Sequence, residues 1–150
     1  MTAIVHPGPV ERLTVHAGEV LIRLRGEDTG GELSVIEFEL AAGTVGAAPH
    51  VHQGHAEEFV ITAGEVTFDL VTDGVRSTAV AGAGGTVSVP IGVGHGFRNA
   101  SDAPATIIGL FRPAGYERYF REIHELVAAG HVPTPDELRT LRAKYRTTPA

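Results

Sequence analysis

Pro49-His50-Val51-His52-Gln53-Gly54-His55-Ala56-Glu57-Glu58-Phe59-Val60-Ile61-Thr62-Ala63-Gly64 is the stretch that decides how this chain of 150 residues is read. Successive side chains of an extended backbone take opposite faces, so His50 and His52 point the same way. In the strand that follows, Glu57, Phe59 and Ile61 share one face while Glu58, Val60 and Thr62 take the other. The first set is the more apolar and marks the inward face. A carboxylate there is costly unless something cationic meets it. A second stretch supplies a further imidazole: Gly84, five residues, then Pro90-Ile91-Gly92-Val93-Gly94-His95-Gly96-Phe97-Arg98-Asn99. Three imidazoles and one carboxylate brought together form a cage suited to a divalent transition metal.

Outward from these stretches the chain reads as short strands split by turn residues. Val20–Arg25 and Leu33–Leu40 alternate at period two, with Ile36, Phe38 and Leu40 on one face and Glu37 and Glu39 on the other. Further strands are expected at 57–62, 65–72, 76–80, 86–89, 96–99 and 106–111. Ala63-Gly64, Asp73-Gly74, Gly82-Ala83-Gly84-Gly85 and Asn99-Ala100-Ser101-Asp102 are turn material between them. Regularly spaced short strands without strand–helix–strand alternation predict an all-β sandwich or barrel. After Arg112-Pro113-Ala114-Gly115 the period changes. Tyr116, Phe120, Ile123 and Val127 mark one amphipathic helix, and Thr134-Pro135-Asp136-Glu137 opens a second that continues through Leu138, Leu141 and Tyr145. Two helices this short are expected to pack on the barrel. The division is an N-terminal arm (1–18), a barrel (19–113) and a two-helix extension (114–150).

Composition narrows the function. The chain has no cysteine, which removes disulfides, thiolate zinc sites and a thiol nucleophile. Its net charge is −6, and residues 1–111 carry 5 basic and 13 acidic side chains, unlike the basic face that nucleic acid requires. No apolar run approaches the roughly 20 residues that cross a bilayer, and the first ten residues lack a signal-peptide pattern, so a cytoplasmic location is expected. Gly92-x-Gly94-x-Gly96 neither leaves a βαβ strand nor opens a helix, so it fails as a phosphate loop. His55 is expected on an exposed loop, Glu58 as a solvated outward carboxylate, and His6, His16, His124 and His131 at the surface.

Both stretches resemble the motifs of the cupin family, G-x5-H-x-H-x3,4-E-x6-G and G-x5-P-x-G-x2-H-x3-N. His50, His52, Glu57 and Gly64 fit the first, with its leading glycine displaced to Gly43; Gly84, Pro90, Gly92, His95 and Asn99 fit the second throughout. The resemblance implies a cupin jelly-roll barrel (a double-stranded β-helix) with a short α-helical C-terminal extension. It also implies one divalent metal (Fe, Mn, Ni, Co or Zn) held by His50, His52, Glu57 and His95. The tail, Arg112-Pro113-Ala114-Gly115-Tyr116-Glu117-Arg118-Tyr119-Phe120, is similar to that of small quercetin-dioxygenase-like cupins, although Ala114 interrupts their Pro-Gly pair.

That likeness implies a metal-dependent dioxygenase cleaving a flavonol-like or other enolizable aromatic substrate with O2. Glu57 is its catalytic residue, and Phe38, Phe59, Ile61, Phe97 and Phe111 wall the substrate pocket. The alternative is a non-oxidative metal-dependent cyclase or isomerase of a polyketide or sugar-like compound. A non-catalytic binding cupin is a third reading. The expected partners are a small-molecule substrate and a second copy of the chain in a homodimer, with neither nucleic acid nor membrane.

Overall fold

The computed structural model describes residues 2–150. Among the described residues eleven strands form two antiparallel sheets that face each other, followed and partly capped by two helices. The strands are β1 (Glu11–Val15), β2 (Gly18–Leu24), β3 (Ser34–Leu40), β4 (Val45–His52), β5 (Ala56–Ala63) and β6 (Glu65–Thr72). They continue with β7 (Val75–Gly82), β8 (Thr86–Val89), β9 (Gly94–Arg98), β10 (Ala105–Arg112) and β11 (Thr147–Pro149). Helices α1 (Glu117–Ala128) and α2 (Pro135–Lys144) lie between β10 and β11. One sheet runs β1-β2-β3-β10-β5-β8 and the other β11-β4-β9-β6-β7. This is the all-β architecture that the strand pattern predicts, in the jelly-roll form with a helical extension that the resemblance implies.

Alternation sets which side chains meet between the sheets. In β5 the buried residues are Glu57, Phe59 and Ile61, as the parity of the sequence requires. Ile22, Ile36, Ile61, Phe68 and Ile107 are fully buried and fill the space between the layers. Two turns show why their residues were chosen. Asp73 (φ 51°) and Gly74 (φ 77°) both take positive φ, the geometry of a two-residue hairpin that matches strand twist. Gly64 (φ 71°) lies so close to the start of β10 that a Cβ there would stand 2.3 Å from the Pro104 carbonyl oxygen. Asn99 closes the β9–β10 turn, donating to the carbonyls of Leu40 (3.1 Å) and Ala103 (2.7 Å) while its own oxygen accepts from Ser101.

The ends of the chain are more structured than sequence periodicity suggests. The stretch expected as an arm contains β1, an edge strand of the larger sheet, and its first residue, Met1, lies outside the described residues. The extension contains β11 in addition to its two helices. Helix α1 buries Tyr119 and Ile123 against the barrel, and Phe120 and Val127 pack at the margin. Each buried side chain of this size contributes roughly 1.5–3 kcal/mol. Glu117 fastens the start of α1: its carboxylate accepts from the backbone N–H of Gly26 at 2.9 Å and of Gly115 at 2.8 Å. Arg121 reaches Glu11 of β1 at 2.9 Å, and His124 Nδ1 accepts from the Thr14 N–H at 2.9 Å. Helix α2 opens with a reciprocal cap between Thr134 and Glu137. Among the described residues no helix is long and apolar enough to cross a membrane.

Candidate metal centre

Four buried side chains converge at one end of the sandwich. Strand β4 supplies His50 and His52, its neighbour β9 supplies His95, and β5 of the opposite sheet supplies Glu57. The pairing of β4 with β9 sets His50 opposite His95. Their ligand atoms all lie within 4.8 Å of one another. His50 Nε2 is 2.8 Å from His52 Nε2, His52 Nε2 is 3.0 Å from Glu57 Oε1, and His95 Nε2 is 2.7 Å from Glu57 Oε2.

The outer nitrogens fix what the inner ones present. His50 Nδ1 sits 2.7 Å from the Ala48 carbonyl oxygen and His95 Nδ1 sits 3.3 Å from that of Val93. A carbonyl only accepts, so each Nδ1 carries the proton and each Nε2 of the neutral ring is left with a lone pair. His52 Nδ1 donates to Thr147 Oγ1 at 2.7 Å, while that hydroxyl donates onward to the Tyr145 carbonyl at 3.3 Å. Three nitrogen lone pairs and a carboxylate therefore face one another out of water. That arrangement is repulsive until a cation joins it, and nitrogen with oxygen is a donor set that divalent transition metals accept.

The titration behaviour agrees with this donor set. Burial pushes His50 down to about 3, assisted by His95 and His52. Burial also lowers His52, against the opposing pull of Glu57. For Glu57 burial works upward, but the rings of His52, His55 and His95 set against it outweigh that and hold the carboxyl well below its usual range. Neutral imidazoles and an ionised carboxylate are the protonation states that ligate a metal.

His55 departs from expectation. It is not an exposed loop residue: the turn before β5 folds it inward, only 5% exposed, with Nε2 3.1 Å from Glu57 Oε1. Its ring packs on His52 at 4.1 Å and on Tyr116 at 4.7 Å between centroids. The two-residue spacing from Glu57 carried that signal, since it gives His55 the same facing. Glu58 does point outward and pairs with Arg112 at 3.0 Å. His6, half-buried, bonds Asp28 at 3.2 Å, and His16 and His131 are exposed.

A cavity of about 60 Å³ extends from His50, His52 and Glu57 towards the helices. Phe38, Phe59, Phe97 and Phe111 line it. Ile61 does not: one alternation further along β5, it is sealed in the core at 0% exposure. The outer wall is contributed by residues that sequence reasoning did not assign to the pocket, Tyr116, Tyr119, Phe120 and Ile123 from the α1 region and Arg142 from α2. Their aromatic spacing was visible, but which face of the barrel they cover depends on how α1 packs beside β1.

Comparison with known proteins agrees with this architecture. The cupin domain family matches residues 36–111, and the chain belongs to that family. Oxalate decarboxylase of Lactobacillus farciminis, solved with formate, superposes with a TM-score of 0.60 at 18% identity over 89% of this chain and 44% of its own. A predicted oxalate decarboxylase of Thermotoga maritima gives 0.57 at 21% identity over 74% and 99%. Procruciferin, an 11S globulin of Brassica napus, gives 0.60 at 17% identity over 73% and 30%. The chain thus spans less than half the length of the Lactobacillus enzyme. Decarboxylase and globulin share the fold, so function has to be argued from the site. No curated protein sequence matches the chain.

Proposed function

We propose that the chain is a metal-dependent cupin enzyme that oxidises an enolizable aromatic compound, flavonol-like or smaller, with O2. The observation that carries this reading is the placement of a three-histidine, one-glutamate donor set on an aromatic-walled cavity. A bound divalent ion would supply Lewis acidity towards a substrate oxygen and a place to bring O2 beside it. His50, His52 and His95 would hold the ion as neutral donors. Glu57 would both complete the set and receive the substrate's hydroxyl proton. Phe59, Phe97 and Phe111 give a flat ring apolar surfaces to lie against and exclude water from the reacting end.

The size of the cavity favours the smaller members of this substrate class. Ligand pockets commonly measure roughly 300–1,000 Å³. A three-ring flavonol needs α1 and α2 to shift, whereas a single ring demands less. A compact cavity with one buried carboxylate base also suits a non-oxidative lyase- or isomerase-type reaction, in which the same groups polarise a carbonyl and move a proton. The proposed solution state is a homodimer, read by light scattering.

The experiment is an O2-electrode assay on protein reconstituted anaerobically with Fe(II), Mn(II), Co(II), Ni(II) or Zn(II). Substrates run from quercetin down to single-ring enolizable phenyl ketones. The expected result is O2 uptake equimolar with substrate consumed, without added reductant, and carbon monoxide release from the flavonol. Turnover that proceeds equally without O2 assigns the non-oxidative reaction instead.

A further inference from the structure

Among the arginines that are partly shielded from solvent, Arg142 stands alone. Arg23, Arg25, Arg98 and Arg121 each lie against a carboxylate, namely Glu37, Asp28, Asp69 and Glu11. Among the described residues no carboxylate approaches the half-buried Arg142 guanidinium. Among the described residues its one side-chain hydrogen bond is Nε donating to the Tyr119 hydroxyl at 3.1 Å. A guanidinium withdrawn from water is ordinarily paired, because its desolvation is otherwise uncompensated. Arg142 also lines the same cavity as His50, His52 and Glu57.

The geometry points to Arg142 as the specificity residue of this cavity: an anchor for an anionic group, a carboxylate above all, on an aromatic ligand whose other end faces the metal centre. This deepens the proposed function and rests on its assignment of the cavity as the substrate site. Three features support it. The Tyr119 hydroxyl occupies Nε and so orients the planar fork, leaving the Nη groups for the bidentate contact that carboxylates favour. Between the guanidinium and the ligand cluster stands an aromatic stack, with Tyr119 4.9 Å from Tyr116 and Tyr116 4.7 Å from His52. A flat ring placed along it has its anionic substituent at Arg142 and its reactive end at the histidines. Competing charges are few. Glu19 on the cavity wall is engaged by Arg12 at 2.7 Å, and Glu39 is exposed. His16, also on the wall, is exposed as a residue, but partial shielding of its ring and the Arg142 charge both lower it.

The test uses the zinc-loaded full chain with two probes of equal shape, cinnamate and cinnamamide, titrated calorimetrically. A charge-assisted contact predicts that cinnamate binds roughly tenfold to a hundredfold more tightly than the amide. Arg142→Gln should erase that preference at unchanged zinc content, and Arg142→Lys should keep part of it. Tyr119→Phe should weaken the preference without abolishing it, because the guanidinium remains but loses its orientation. Melting temperatures of all variants separate this from loss of fold. A preference that survives Arg142→Gln and disappears on zinc removal places the carboxylate on the metal and overturns the assignment. Absence of saturable binding by either probe overturns it as well. Failure of the parent reading is distinct: it appears as absent metal binding or absent O2 uptake in the wild-type protein.

Discussion

Thr147 Oγ1 accepts from His52 Nδ1 at 2.7 Å across 95 residues of sequence. The pairing of β11 with β4 sets Thr147 directly opposite His52, and Thr147 is 1% exposed. Partners of this kind fix ring orientation and tautomer, and losing one typically costs about 10–100-fold in metal affinity. Thr147→Val is therefore expected to weaken zinc binding by that range in a chelator competition, while Thr147→Ser restores it. Equal affinity for all three proteins would remove Thr147 from the site.

His95→Ala and His52→Ala should each lose most of the bound metal, read by elemental analysis of protein prepared in zinc-supplemented medium. Wild type should carry close to one ion per chain. Full occupancy in His95→Ala would contradict the four-ligand assignment.

His55→Ala tests a subtler role. All four ligands remain, but Glu57 loses the partner at 3.1 Å that helps to aim its carboxylate. We expect about tenfold weaker metal binding, partly recovered in His55→Gln, whose amide can donate to the same oxygen. Affinity unchanged in His55→Ala would show that His52 and His95 position Glu57 unaided.

Glu117 gives a pH-dependent prediction away from the metal. Burial works to raise its carboxyl, but the backbone donors of Gly26 and Gly115 prevail and hold it below the usual value. A depressed folded pKa contributes stability that is present above the unfolded value and lost as pH falls through the folded one. Glu117→Gln should cost about 2 kcal/mol at neutral pH, roughly 4–8 °C in melting temperature for a domain of this size. The gap between mutant and wild type should close below about pH 4. A gap of constant width would show that ionisation is not what Glu117 contributes.

Ile123 lies at 1% exposure where α1 meets the barrel. Ile123→Ala should destabilise by about 2–5 kcal/mol, measured by urea denaturation of the metal-free protein. A loss under 1 kcal/mol would mean that α1 docks by its polar contacts.

Parts of this structure were readable from local pattern and parts were not. The parity of Glu57, Phe59 and Ile61 follows from a two-residue repeat that backbone geometry imposes, so the inward carboxylate was visible in sequence. The candidate ligand set was visible because its residues fall in two compact stretches. Thr147 and Arg142 were invisible for the opposite reason. Each acts through a partner brought close by the docking of α1, α2 and β11, which no periodicity encodes. Strand β1 was missed because Glu11–Val15 is short and half-exposed, and becomes a strand only by pairing with β2.

The donors of the metal centre are divided between the layers, three histidines on one sheet and Glu57 on the other. An ion held there acts as a rivet through the sandwich. Pulling the two sheets apart then requires the ion to be released, so occupancy enters the unfolding equilibrium directly. Resistance to heat becomes a function of free metal concentration, rising by about 1.4 kcal/mol for each tenfold increase once the site is saturated. The same protein in metal-rich and metal-poor surroundings would differ in lifetime as well as in activity.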